Sequence, residues 1–157
     1  MNTSPRLRAI LIGGTIAAAL DILFAITWAA VNGRTPGWLL QTVATGLLGE
    51  SSYAGGVPTA LLGLASHFAL SYGWAALFVA AASRLRWLVA KPAFTGPAFG
   101  VLVFFTMRLV VLPLSAFPYP VSFSQPGATL DLLSHMFFFG LPIAFAAAKA
   151  APAGRPA

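Results

Sequence analysis

An all-α fold, a bundle of four transmembrane helices, is what this amino-acid sequence predicts, and three observations carry the prediction. The chain is 59% hydrophobic and only 8% charged over 157 residues, whereas a soluble domain of this size carries about 25% charged residues. Four apolar runs, at 8–31, 57–82, 93–114 and 128–148, reach the roughly 20 residues that a helix needs to cross a bilayer core. Backbone amides in lipid must pair within their own segment, and the Gly and Ala content favours close helix contact over the alternation of a barrel.

The first run opens with Arg6 and Arg8, as a signal peptide does, but it is too long for one and is interrupted by Asp21, so it reads as a retained span. Its ten Ile, Leu, Phe and Val residues, at about 0.3–0.6 kcal/mol each, offset the roughly 2.5–3.5 kcal/mol that a central carboxylate costs. The segment "RTPGWLLQTVATGLLG" follows, with Thr35 as N-cap, Pro36 at the first helical position and Trp38, Leu39, Val43 and Leu47 on helical spacing. It predicts a short interfacial helix with Trp38 at headgroup level. "GESSYAGG" then turns the chain back, and Glu50, Ser51 and Ser52 read as ordinary turn chemistry.

The second and third runs are joined by the short basic "SRLRWLVAKPAF", which makes them antiparallel neighbours. Between the third and fourth lies "PLSAFPYPVSFSQPG", whose four prolines predict a stiff extended cover over one end of the bundle. Residues 1–148 form a single membrane domain, and 149–157 is expected to be a disordered cytoplasmic tail.

The formal charge of +6 does not point to nucleic acid, because the basic residues flank apolar runs instead of clustering with aromatics. Arg6, Arg8, Arg84, Arg86, Lys91, Lys149 and Arg155 fall at one end of the predicted bundle and only Arg34 at the other. The positive-inside rule then places both termini in the cytoplasm. Absent cysteines remove disulfides, thiolate metal sites and thiol nucleophiles. No nucleophile elbow, P-loop, dinucleotide glycine pattern or HExxH motif occurs, so an enzyme is not indicated.

A gapless match links "PTALLGLASHFALSYG" with "PGATLDLLSHMFFFG": Pro58 with Pro126, Leu62 with Leu130, Leu64 with Leu132, Ser66 with Ser134, His67 with His135. It suggests two helical hairpins repeated about an axis along the membrane normal. Both histidines would then lie at similar depth, roughly 14 Å from each proline at 1.5 Å per residue. The glycine at 63 would leave room where Asp131 sits in the matched register.

The ionisable groups within the spans are Asp21, His67, Arg108, Asp131 and His135, all at mid-depth or towards the end opposite the termini. Asp131 and His135 share a helix face. Arg108 is the natural partner of Asp131, and Asp21 of one histidine. Three readings compete. The groups could be interhelical glue at about 0.6–2 kcal/mol per contact. They could line a polar cavity that handles a proton, an ion or a small solute. Or His67 and His135 could ligate a haem iron or a divalent metal in a redox subunit. Against the second stands the absence of a Gly/Pro break at mid-span, since the four helices read as continuous. Gly96 and Gly100, Gly14 and Ala18, and Ala69 and Gly73 are small-xxx-small pairs that fit either the bundle or a homodimer or other membrane partner. A solute-sized cavity is expected more readily between protomers than within one such small bundle.

At "LLQTVATGLLG", "VVLPLSAFP" and "LLSHMFFFGLPIA" the chain resembles a group of uncharacterised bacterial four-helix inner-membrane proteins. It is more distantly similar to YagU-like inner-membrane proteins through its four spans and the histidine of the last one. The resemblance implies a bacterial inner-membrane location and marks His135. It implies no activity, substrate or catalytic residue. The sequence reading is therefore a small-solute, ion or proton-handling membrane module or accessory subunit, with a haem- or metal-binding subunit as the alternative.

Overall fold

The computed structural model describes residues 3–151. Among these, every regular element is helical, in the order α1 (Pro5–Val31), α2 (Pro36–Leu48), a 3-10 stretch (Gly49–Gly55), α3 (Gly56–Arg84), α4 (Trp87–Ala90), α5 (Pro92–Thr106), α6 (Leu112–Leu114), α7 (Gly127–Ser134) and α8 (Leu141–Ala150). Four helical stretches are long and apolar enough to cross a membrane: Pro5–Val31, Pro36–Arg84, Pro92–Leu114 and Gly127–Ala150. The last helix runs through Lys149 and Ala150, so these two belong to it and not to a tail. Positions 152–157, which include Arg155, lie outside the described residues.

Small side chains let the backbones touch. A Cβ on Gly14 would strike the Tyr72 ring at 2.6 Å, and one on Gly13 would meet Ala146 at 2.9 Å, so α1 lies directly on α3 and α8. Ser71 donates to the Gly14 carbonyl at 2.8 Å, and Thr15 bonds the Tyr72 hydroxyl at 2.9 Å. Gly96 and Gly140 bring the third long helix against the fourth, because a Cβ on Gly140 would fall on the Gly96 carbonyl oxygen. Thus Gly14, Gly96 and Gly100 serve the bundle itself, whereas Gly73 faces open space. The apolar core, including Ala17, Ala75, Phe78, Val103, Ile143 and Ala147, fills the half of the bundle nearer the termini.

The opposite end is built differently. α2 forms as the sequence predicts: the Thr35 hydroxyl accepts from the Trp38 amide at 3.1 Å, and Pro36 opens the helix. Gly49 ends it at φ 61°, a left-handed value that favours glycine. The 3-10 stretch is more than a turn. Ser52 is fully buried and donates to the Gln41 carbonyl at 2.9 Å, while Thr59 donates to the Ser52 carbonyl at 2.6 Å. Together they clamp α2 onto α3. Gly63 does not leave room for a side chain from another helix, contrary to the repeat argument. The Leu40 carbonyl of α2 occupies the place its Cβ would take.

Two of the long helices run unbroken, as expected, but each widens locally into a π-turn. Met107–Val111 forms a π-turn between α5 and α6, and His135–Gly140 another between α7 and α8. The cause is in the sequence. Pro113 and Pro142 each stand two residues beyond a π-turn. A proline lacks an N–H, and its ring excludes the carbonyl four residues earlier, so widening the preceding turn is one way to accommodate it. The Leu112 amide accordingly reaches back to the Met107 carbonyl, five residues away.

Candidate functional site

The four long helices come together around one cavity of about 470 Å³, and Asp21, His67, Arg108, Asp131 and His135 all line it. Five residues from four long helices, distant in sequence, therefore share one space. One chain supplies all of this lining, although a cavity of this size is expected more readily between protomers. The walls between the polar groups are apolar and aromatic, with Trp74, Phe104 and Phe139 among them.

Arg108 sits in the first π-turn. Its Nη2 donates to Asp131 Oδ2 at 2.7 Å and its Nη1 to the Ser122 carbonyl at 2.5 Å. Phe104 and Phe123 carry the guanidinium on their rings, with centroids 4.8 and 5.5 Å from Cζ. The pairing with Asp131 that the sequence suggests is thus made, and the same cation ties down the extended loop. That loop, residues 115–126, contributes Phe117, Pro120, Val121 and Ser122 to the cavity roof. It is held to α2 by the Ala116 amide on the Gly46 carbonyl at 3.0 Å. α2 adds Leu39, Thr42 and Val43 to the same roof.

His135 opens the second π-turn. Its Nδ1 lies 2.9 Å from the Asp131 carbonyl, 3.3 Å from Asp131 Oδ1 and 3.8 Å from Asp21 Oδ1. A carbonyl only accepts, so Nδ1 carries the hydrogen and Nε2 is the open nitrogen of the neutral ring. Asp21 is 8% exposed, and Ser134 donates to its Oδ1 at 2.7 Å. Among the described residues, no hydrogen bond reaches Asp21 Oδ2. His67 meets α1 instead of the acidic pair: its Nε2 donates to the Ala18 carbonyl at 3.0 Å, which leaves Nδ1 as its open nitrogen.

A second cavity, about 420 Å³, shares Ala25, Leu39, Arg108, Ser122 and Asp131 with the first and extends to Asn32 and Arg34. The Arg108–Asp131 pair therefore stands at the boundary between an antechamber at the loop end and the chamber holding Asp21 and His67. Two features escape sequence reasoning. Ser134, buried at 2% exposure, is the direct donor to Asp21 and not merely a neighbour of the cluster. The π-turns have a signal in Pro113 and Pro142, yet helical-wheel spacing alone does not reveal them. Such single π-turns recur at functional sites.

Each histidine ring has one nitrogen that no hydrogen bond reaches among the described residues, Nδ1 on His67 and Nε2 on His135. The His67 nitrogen at 3.0 Å from Ala18 is committed to a backbone carbonyl, and among the described residues no three His, Asp or Glu groups are placed to hold a metal ion. No family model matches this chain, and neither a curated protein nor a solved structure matches it significantly.

Proposed function

We propose that the chain is a bacterial inner-membrane protein, not an enzyme, whose cavity handles a proton and a small solute or ion, alone or as an accessory subunit of a membrane complex. The single observation that carries the reading is the cavity itself. Interhelical glue requires only that polar groups touch, whereas here five ionisable side chains surround a solute-sized space. Intramembrane ionisable groups are costly, and where they face a cavity they mark pathways.

The proposed orientation puts both termini in the cytoplasm and the loop end outside. The basic residues support it, since Arg6, Arg8, Arg84, Lys91 and Lys149 all lie at the helix ends nearer the termini. The cluster of Asp21, Arg108, Asp131 and His135 carries two carboxylates against one guanidinium. One bound proton brings its formal charge to zero, so proton loading and unloading are the natural change of state. Arg108, tied both to Asp131 and to the loop, couples that change to the roof. The alternative is a haem or metal site on His67 and His135, and a visible spectrum of purified protein without a Soret band removes its haem form.

The absence of cysteine makes a direct test simple. In inverted and right-side-out vesicles, Ala25→Cys, at the cavity wall, should react with a membrane-impermeant thiol reagent from the outer face. Ile16→Cys, on an exposed apolar position of α1, should not. Proteoliposomes containing the protein should also show proton movement after a pH jump that Asp21→Asn abolishes. Silence at Ala25→Cys from both faces, with no protein-dependent proton movement, would overturn the proposal.

A further inference from the structure

We infer that the cavity selects a small organic cation, a protonated amine on an apolar body, and exchanges it for one proton at Asp21. The inference rests on the cavity-handling reading above and names its substrate class.

The open valences decide the sign of the ligand. Among the described residues no hydrogen bond reaches Asp21 Oδ2, His67 Nδ1 or His135 Nε2, and with the rings neutral all three are acceptors. Among the described residues Arg108 is the one Arg or Lys lining the cavity, and it is already spent. Arg108 gives Nη2 to Asp131 and Nη1 to Ser122, and phenylalanine rings cover its faces. Its Nε is buried and has no partner, but a lone N–H behind those rings does not offer the bidentate fork that anions use. An anionic ligand would have to displace Asp131. A cationic ligand leaves the Arg108–Asp131 pair in place.

Charge balance points the same way. Arg108 answers Asp131 at 2.7 Å, while Asp21 has only the Ser134 hydroxyl and, at 3.8 Å, the His135 ring. A carboxylate 8% exposed in an apolar bundle requires a positive partner. A proton on the cluster supplies one, and an entering ammonium supplies the other. When the ammonium arrives the proton leaves, and the charge in the cavity is unchanged. The groups facing this exchange are His67 from α3, Arg108 from the third helix, and Asp131 and His135 from the fourth. The aromatic wall of Trp74, Phe104 and Phe139 suits the organic part, and the faces of such rings attract a cation.

Three probes of one shape and different charge provide the test: benzylamine, benzyl alcohol and benzoate, titrated calorimetrically into the purified full-length protein in detergent. Benzylamine should bind at least tenfold more tightly than the other two. Its affinity should rise with pH, by at most about tenfold per unit for one exchanged proton, as mutually exclusive binding demands. Titration in buffers of different ionisation enthalpy should report release of about one proton per amine bound. Asp21→Asn should remove both the binding and its pH dependence while gel filtration still reports a folded protein.

Benzoate binding as tightly as benzylamine, or an amine affinity indifferent to pH, would overturn the inference. If Asp21→Asn does not fold, the comparison of the three probes on the native chain still decides. Failure of all three probes to bind, with Ala25→Cys still labelled and proton movement intact, would sink this inference and leave the cavity reading standing. Loss of labelling and proton movement would sink both.

Discussion

The two Ser-His pairs of this chain, Ser66-His67 in α3 and Ser134-His135 in the fourth long helix, occupy matched sequence positions and do different work. In α3 the helix is regular throughout. Ser66 is half-buried and bonds its own Leu62 carbonyl at 2.7 Å, and His67 reaches a single backbone carbonyl on α1. In the fourth helix Ser134 is buried against Asp21, and His135 starts a π-turn with Asp131 and Asp21 around its ring. The difference lies in what each pair meets. One faces backbone that is already hydrogen-bonded within its helix; the other faces carboxylates that cannot be left alone. Equal motifs in a bundle therefore carry unequal energies, set by the neighbours and not by the pair.

The largest expected effect comes from the glycine that backs the π-turn. A Cβ on Gly100 would fall on the His135 carbonyl oxygen, whereas Gly73, beyond the α3 pair, has nothing within 4 Å. Overpacking against backbone in a close-packed interior costs about 1–3 kcal/mol or more. Gly100→Leu should lose the monodisperse peak in fluorescence-detected gel filtration, and Gly73→Leu should keep it. Equal recovery of the two would mean that the fourth-helix site relaxes as freely as an exposed face.

Next come the serines. Ser134→Ala strips the hydroxyl from a buried carboxylate and should destabilise the protein by about 1–3 kcal/mol. Ser66→Ala removes a bond to a carbonyl four residues back on the same helix and should change stability by about 0.5 kcal/mol or less. Thermal unfolding in one detergent measures both. Similar melting temperatures would erase the proposed asymmetry.

How much of this was legible before the fold is seen follows from the kind of partner involved. The four long helices, the Thr35 cap of α2 and the Arg108–Asp131 pair are visible in sequence, because each depends on side-chain type and local spacing. The gathering of Asp21, His67 and His135 near Arg108 follows from their shared depth. What sequence does not disclose is contact with backbone. The carbonyls of Ala18, Gly14, Leu40 and Ser122 take bonds or fill space, and no residue type announces an available carbonyl. The π-turns are hidden for a related reason. A helical wheel assumes a constant turn, and each π-turn resets the face of everything beyond it. Gly63 illustrates the cost of trusting the matched register, since the space reserved there for a side chain belongs to α2.

The loop sharpens the comparison further, because Arg108 of the third long helix ties it to Asp131 of the fourth, while the Ala116 amide ties it separately to α2. Arg108→Gln should release the roof, raising amide hydrogen exchange across residues 117–123 several-fold while exchange in α2 changes little. The α2 anchors, Gln41, Ser52 and Thr59, do not involve the arginine. Uniform protection after the substitution would show that the Ala116 bond to Gly46 suffices to hold the loop.

His67→Phe should have the smallest effect on stability. The ring keeps its place beside Phe68, whose centroid lies 6.1 Å away, and only the N–H to Ala18 is lost. The Ala18 carbonyl lies in the middle of α1, where it also accepts its own helix bond. Interhelical hydrogen bonds in membranes average about 0.6 kcal/mol, so the melting temperature should move by no more than a few degrees. Benzylamine affinity is a separate matter, because Nδ1 is one of the three open acceptors and phenylalanine has none. The variant should therefore weaken amine binding several-fold while sparing the fold. A large loss of stability with unchanged binding would reverse the assignment, making His67 a strut between α1 and α3 and leaving Asp21 and His135 to receive the cation without it.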